Sequence, residues 1–232
     1  MGGGRRRIWA LEDEMNPRIV LVHAYAPSMP PILEAFADLW PEADVMNLLD
    51  ECLYADVTPE GVMKDGLTER VATLLNHAVA SGADGVIFTG STFGAAVEIA
   101  RCDIGVPVLK ADEAMAEFAV ERQGSILLVC TAGRAVPIIR ANIESAAGDR
   151  PVAFDALVVA DAKAALVAGD KARHDRLVAE AIEAHAPADT IALGQMSMAG
   201  VAPRLPRQLQ QKCLISSHCS VEWMKRRSDP RQ

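Results

Sequence analysis

The chain has 232 residues, 50% of them apolar and 4% aromatic, with a formal net charge of −8. That length suits one large or two small α/β units with a full core, and the acidic balance argues against the clustered Lys and Arg that neutralise phosphates. No apolar run approaches the roughly 20 residues that span a bilayer, so neither nucleic acid nor membrane is an expected partner and the protein reads as cytoplasmic.

Glu12, Asp13 and Glu14 stand where a signal peptide would carry its apolar core. Residues 1–17 are expected to form a flexible N-terminal segment, with Met15 a plausible natural beginning. The basic clusters Arg5-Arg6-Arg7 and Lys225-Arg226-Arg227 lie at the ends and read as solvated. Five cysteines, Cys52, Cys102, Cys130, Cys213 and Cys219, have neither a disulfide nor a zinc spacing.

A continuous apolar run over 18–23 predicts a first strand buried on both faces. The loop from Ala24 to Pro31 leads into a helix over 32–39, with proline in its first turn. A second strand over 44–48 ends in Asp50-Glu51. Leu67, Val71, Leu74, Leu75 and Ala78 recur at helical spacing and predict a helix over 67–80. The segment Gly82 to Lys110 then reads strand, polar loop, helix, strand: Val86 to Phe88, the hydroxyls of Thr89, Ser91 and Thr92 around Gly90, a helix over 95–101, and Val108-Leu109. Hydroxyls and free N–H groups at a strand's carboxyl end and a helix start make an anion-binding place.

Helices over 112–121, 137–146, 161–168 and 172–185 alternate with strands over 125–130, 153–158 and 190–193. A helix closed by Pro203 and Pro206 is expected next, then a strand over 213–215 and a terminal helix over 221–226. Alternating strands and helices predict an α/β fold with parallel sheets. The pattern also repeats. A shift of 105 residues lays Ile87 to Thr92 on Ala192 to Ser197, and a shift of 107 lays Ile19 to Val22 on Ile126 to Val129. Two pseudo-symmetric lobes follow, 18–110 plus about 207–232 and about 111–206, with the active-site cleft between them and the two polar loops as its walls.

The segments Phe88-Thr89-Gly90-Ser91-Thr92-Phe93-Gly94, Val106-Pro107-Val108-Leu109-Lys110, Leu48-Leu49-Asp50-Glu51 and Leu193-Gly194-Gln195-Met196-Ser197-Met198-Ala199 resemble the aspartate/glutamate/hydantoin racemase superfamily, which includes maleate isomerases and arylmalonate decarboxylases. The resemblance implies two lobes around one site. It also implies, for racemising members, two cysteines acting as acid and base on opposite faces of a carbon beside a carboxylate. The matching positions here hold Gly90 and Gln195. Neither carries a proton at neutral pH, so two-thiol racemisation is not expected. Decarboxylase-like members share a glycine followed by two hydroxyl residues, as in Gly90-Ser91-Thr92, which the resemblance implies helps bind a carboxylate. It implies the same for Thr131. Those members keep the second-lobe cysteine that this chain lacks.

Thr89, Gly90, Ser91 and Thr92 are therefore candidate carboxylate-binding residues, helix capping by Ser91 or Thr92 being the alternative. Gln195 and Ser197 occupy the mirrored loop. His23 and Cys130 end the first strand of their lobes and are candidates for an acid/base pair or an imidazole-activated thiolate, with Glu51 as a further base. Tyr25 is a candidate donor or stacking residue. His218, which falls on Glu113 in the repeat, is a candidate to reach the cleft. His77, His174 and His185 read as surface residues, and Met196 and Met198 as packing. No phosphate loop, dinucleotide fingerprint or metal-ligand cluster points to a cofactor. The expected function is an isomerase- or lyase-type reaction on a small carboxylate. The alternatives are a carboxylate-binding protein without catalysis and a structural subunit, and alanine-rich helix faces leave a homo-oligomer open.

Overall fold

A computed structural model describes residues 16–58 and 63–228. Of the expected flexible segment 1–17, all but Asn16 and Pro17 lies outside the described residues, as does the Arg5-Arg6-Arg7 cluster. The first half runs β1 (Arg18–His23), α1 (Met29–Leu39), β2 (Asp44–Leu49), α2 (Cys52–Ala55), α3 (Leu67–Ala80), β3 (Gly85–Phe88), α4 (Gly94–Ala100) and β4 (Val108–Lys110). The second runs α5 (Glu113–Glu121), β5 (Ser125–Cys130), α6 (Ala135–Ala147), β6 (Ala153–Val158), α7 (Ala160–Val167), α8 (Lys171–Glu183), β7 (Thr190–Leu193), α9 (Arg207–Gln210), β8 (Cys213–Ile215) and α10 (Ser216–Ser228).

Two parallel four-stranded sheets result, ordered β2-β1-β3-β4 and β6-β5-β7-β8. Their registers repeat as the sequence shifts require. Ile19 lies opposite Gly85 and Ile126 opposite Thr190, while Val86 pairs with Val108 and Ile191 with Cys213. Inner strands β3 and β7 are buried at every residue, since helices cover both faces. Two of the four edge strands differ: β2 exposes Met46, Asn47 and Leu49, and β6 exposes Ala153, Asp155 and Val158.

Strand alternation decides what faces the other lobe. Ile19 and Leu21 join Ile126, Leu128 and Cys130 in one apolar cluster that crosses between the sheets through Ala114, Met115 and Ala119 of α5. Val20 and Val22 turn outward onto α3, and Leu127 and Val129 outward onto α8. His23 continues the parity of Ile19 and Leu21, so β1 and β5 aim their last residues, His23 and Cys130, to the side between the lobes.

Helix α10 packs on α1, α5 and β3. Its approach needs Gly85, where an added Cβ would run into Met224 and stand 2.9 Å from Ser228 Oγ. Lys225 Nζ donates to the Leu39 carbonyl at 3.0 Å, and Trp223 Nε1 donates to Glu117 at 2.8 Å.

Three expectations need correction. No continuous helix precedes Pro203; 3-10 turns at Met196–Met198 and Ala202–Arg204 take its place, because Pro203 and Pro206 each remove a backbone donor. Helix α10 starts at Ser216 rather than at 221, its polar first turn having hidden it. His174 is fully buried instead of surface-exposed, with Nδ1 2.7 Å from Asp175 Oδ1. Among the described residues, no helix is long and apolar enough to cross a membrane.

Candidate functional site

The carboxyl ends of both sheets point their loops to the boundary between the lobes, the place where open α/β sheets bind ligands. The 3-10 turn Ser91–Phe93 packs against α6 of the second half. Its counterpart Met196–Met198 packs against α1 and the 3-10 turn Ala26–Ser28 of the first. Each polar turn thus reaches across to the opposite lobe.

The first turn is built around crowding. A Cβ on Gly90 would stand 3.0 Å from Phe93 Cδ2 and 3.2 Å from Phe88 Cε1. Ser91 and Thr92 stay partly exposed, and neither caps α4, whose N-cap residue is Phe93 with no side-chain bond. The capping alternative therefore falls. Thr92 Oγ1 lies 3.5 Å from Tyr54 Oη. Phe88, Phe93, Tyr54 and Tyr25 follow one another in tilted and edge contacts with centroids 5.7, 5.2 and 6.2 Å apart, which line the turn with rings and leave Tyr25 exposed at the outer end.

Behind Thr89 stands His23, fully buried. Its Nδ1 is 2.9 Å from Thr89 Oγ1 and 3.3 Å from Ser28 Oγ, and its Nε2 is 3.0 Å from Asn47 Oδ1. A carbonyl oxygen only accepts, so this network assigns the ring proton to Nε2 and leaves Nδ1 accepting from the Thr89 hydroxyl. Ser28 donates to the Tyr25 carbonyl at 2.7 Å and lies 3.0 Å from Thr89 Oγ1. Burial lowers the imidazole pKa below its ordinary 6.5, with the Asn47 bond acting in the opposite direction.

The second turn is wired differently. The Gln195 side-chain oxygen accepts from the Thr131 backbone N–H at 2.6 Å and from its hydroxyl at 2.9 Å. Thr131 is thereby occupied by Gln195, and the amide is turned so that its NH2 points away from that pair. Ser197 is partly exposed in the turn. Gly194 has no room for a side chain, since a Cβ would stand 2.8 Å from Ile139 and 3.0 Å from Cys130 Sγ.

The expected pairing of His23 with Cys130 needs correction. His23 bonds Thr89, Ser28 and Asn47, whereas Cys130 is fully buried in the interlobe cluster. Burial, then the nearby Asp112 charge, pushes the Cys130 thiol up to about 12, which removes the thiolate at neutral pH. Glu51 is exposed at the start of α2, and its neighbour Asp50 is ion-paired to Arg70 at 2.7 Å. His218 is half-buried in the first turn of α10; burial lowers its pKa and Asp38 of α1 opposes that.

The sequence reading missed Asn47 and Ser28, which complete the His23 network, and Asp112. Asp112 follows β4 with φ 65° and is 3% exposed, its carboxylate accepting from Ser216 Oγ at 2.7 Å. Its one sequence signal is its place two residues past a strand end. Cavities of about 150 and 210 Å³ lie along β6, lined by Arg140, Arg150 and Phe154 and by Asp155 and His185, away from the two turns. No group of three metal-ligating side chains occurs among the described residues.

A family profile described as Asp/Glu/Hydantoin racemase matches residues 18–223. Among solved structures the chain is similar to allantoin racemase from Klebsiella pneumoniae, with 16% identity, a TM-score of 0.65, and coverage of 91% of this chain and 87% of that one. Allantoin racemase from Pseudomonas fluorescens gives 22%, 0.61, 90% and 89%, and an unliganded arylmalonate decarboxylase 20%, 0.59, 93% and 94%. A search of curated proteins finds no match. At these identities the structural likeness speaks to the fold.

Proposed function

The chain belongs to the Asp/Glu/hydantoin racemase family, and from that premise we propose that it binds a small carboxylate between its two polar turns. It then acts on that ligand as an isomerase- or lyase-type enzyme without exchange between two thiols. The Gly90-Ser91-Thr92 turn supplies hydroxyl and N–H donors to the carboxylate, and the Gln195 NH2 faces it from the other lobe. The observation that carries the reading is the 2.9 Å bond between His23 Nδ1 and Thr89 Oγ1, which joins a buried neutral imidazole to the turn where a racemising relative would place a thiol.

In this reading Thr89 conducts a proton between ligand and imidazole: the hydroxyl takes a proton from the ligand side as it gives its own to Nδ1. General-base assistance of that kind is worth about 10²–10⁴-fold. Because the His23 pKa is lowered, the imidazole is the free base at neutral pH, and the rate falls on the acid side at a pH below the usual imidazole range.

The test is incubation of the protein with small mono- and dicarboxylates in D2O. Thermal stabilisation by a ligand, with deuterium entering the carbon beside its carboxylate or with loss of CO2, is the expected result. Stabilisation with neither reaction would make the protein a binder without catalysis, and no stabilisation would remove the carboxylate reading.

A further inference from the structure

Of the three side chains bonded to the His23 ring, two are hydroxyls. Thr89 Oγ1 at 2.9 Å and Ser28 Oγ at 3.3 Å from Nδ1 can each give or take a hydrogen, so neither decides which ring nitrogen is protonated. The third partner has two unlike ends. Asn47 turns Oδ1, which only accepts, to Nε2 at 3.0 Å, while its NH2 only donates.

The strand register puts this amide in reach. Asn47 of β2 lies opposite Leu21, and His23 lies opposite Leu49, so Asn47, Leu21 and His23 emerge on one side of the sheet and the amide crosses diagonally to the ring. Asn47 is exposed on an edge strand, whereas the ring it touches is fully buried.

The direction of the network follows from that contact. With Oδ1 on the Nε2 hydrogen, Nδ1 has only a lone pair. Ser28 gives its hydrogen to the Tyr25 carbonyl at 2.7 Å, which leaves Thr89 as the donor to Nδ1. Were the amide reversed, its NH2 would donate to Nε2, the ring proton would sit on Nδ1, and the imidazole would have no lone pair left to take a proton from the turn. Asparagine is also an uncharged acceptor. A carboxylate in its place would accept the same hydrogen and favour the imidazolium, which likewise has no free lone pair.

We propose that Asn47 is the positioning residue of this site, holding His23 as the uncharged Nε2–H tautomer so that Nδ1 stays an acceptor for the Thr89 hydroxyl. The proposal rests on the reading of His23 and Thr89 given above and deepens it. Charged groups on the surrounding elements have partners of their own. Asp50, after β2, pairs with Arg70 of α3 at 2.7 Å, and Lys110 of β4 with Glu98 of α4 at 2.8 Å. Asp112, ahead of α5, accepts from Ser216, His218 of α10 lies under the influence of Asp38 of α1, and Glu51 is exposed. Burial and then the Asn47 bond act on the His23 pKa, in opposite directions.

The experiment is nitrogen-15 NMR of the assigned His23 ring in the full chain without ligand. At about pH 8, above the ordinary imidazole range, the unaltered protein is expected to carry its ring proton on Nε2 with Nδ1 bare. A proton on Nδ1 overturns the proposal, whatever any variant does. Asn47→Asp keeps an acceptor of similar shape and is expected to raise the titration midpoint of the ring by at least about one pH unit. An unmoved midpoint overturns the proposal as well. For a carboxylate turned over in D2O, the acid limb of the rate should move up with the ring in Asn47→Asp, and a limb that stays while the midpoint moves takes Asn47 out of the reaction. Absence of turnover with every carboxylate overturns the proposed reaction instead, and the tautomer and midpoint still decide what Asn47 does to the ring.

Discussion

The turns at Gly90 and Gln195 hold equivalent places in a repeated fold, yet their side chains are wired in opposite ways. Around Gly90, a hydroxyl leads back to a buried imidazole. Around Gln195, the amide oxygen is consumed by the backbone and hydroxyl of Thr131. The first turn is connected to a group that titrates, and the second presents a fixed dipole. Backbone pseudo-symmetry therefore does not carry chemical symmetry with it: each sheet register recurs, while a buried imidazole is bonded at the first turn and an amide held by backbone at the second.

Removing the imidazole is the most direct way to break that asymmetry. His23→Ala is expected to lower turnover by about 10²–10⁴-fold while a carboxylate still binds, as checked by single-turnover rates beside ligand-induced thermal shifts. Unchanged turnover would take His23 out of the mechanism.

Restoring thiols tests the crowding of the two turns. Gly90→Cys must displace Phe93 or Phe88, which stand 3.0 and 3.2 Å from the added carbon, and is expected to destabilise by about 1–3 kcal/mol. Gln195→Cys removes a side chain instead of adding one, and denaturant unfolding should find it the less costly of the two.

Thr131→Ala releases the Gln195 oxygen from its hydroxyl partner but keeps the backbone bond, with an expected loss of about 0.5–1.5 kcal/mol. The pH dependence of the first turn should survive that change. If it shifts, the two turns are coupled and do not act as separate walls.

The smallest effect is in stability against pH. The unfolded chain binds a proton at His23 more readily than the folded one does, so the contribution of neutral His23 is complete above about pH 6.5 and is lost as pH falls below that value. Asp112 has the opposite sign. Its folded pKa of about 6 lies above the ordinary 3.8, so its contribution is complete below 3.8 and is lost as pH rises towards 6. His23→Gln and Asp112→Asn should each remove one limb of the unfolding profile.

The strands, their repeat and the lack of thiols at positions 90 and 195 were determined by the sequence alone. Parallel strands covered on both faces need continuous apolar runs, and such runs stand out at 18–23, 125–130 and 190–193. Helices whose polar first turn or prolines interrupt the pattern, as at Ser216 and Pro203, were misplaced for the same reason. Only the tertiary structure decided which polar groups meet. Asn47 comes to His23 from a neighbouring strand, and Ser216 comes to Asp112 from 104 residues away. Hydrogen bonding depends on angstrom-scale placement, which sheet register and the packing of the shared interlobe core impose and which residue spacing along the chain does not encode.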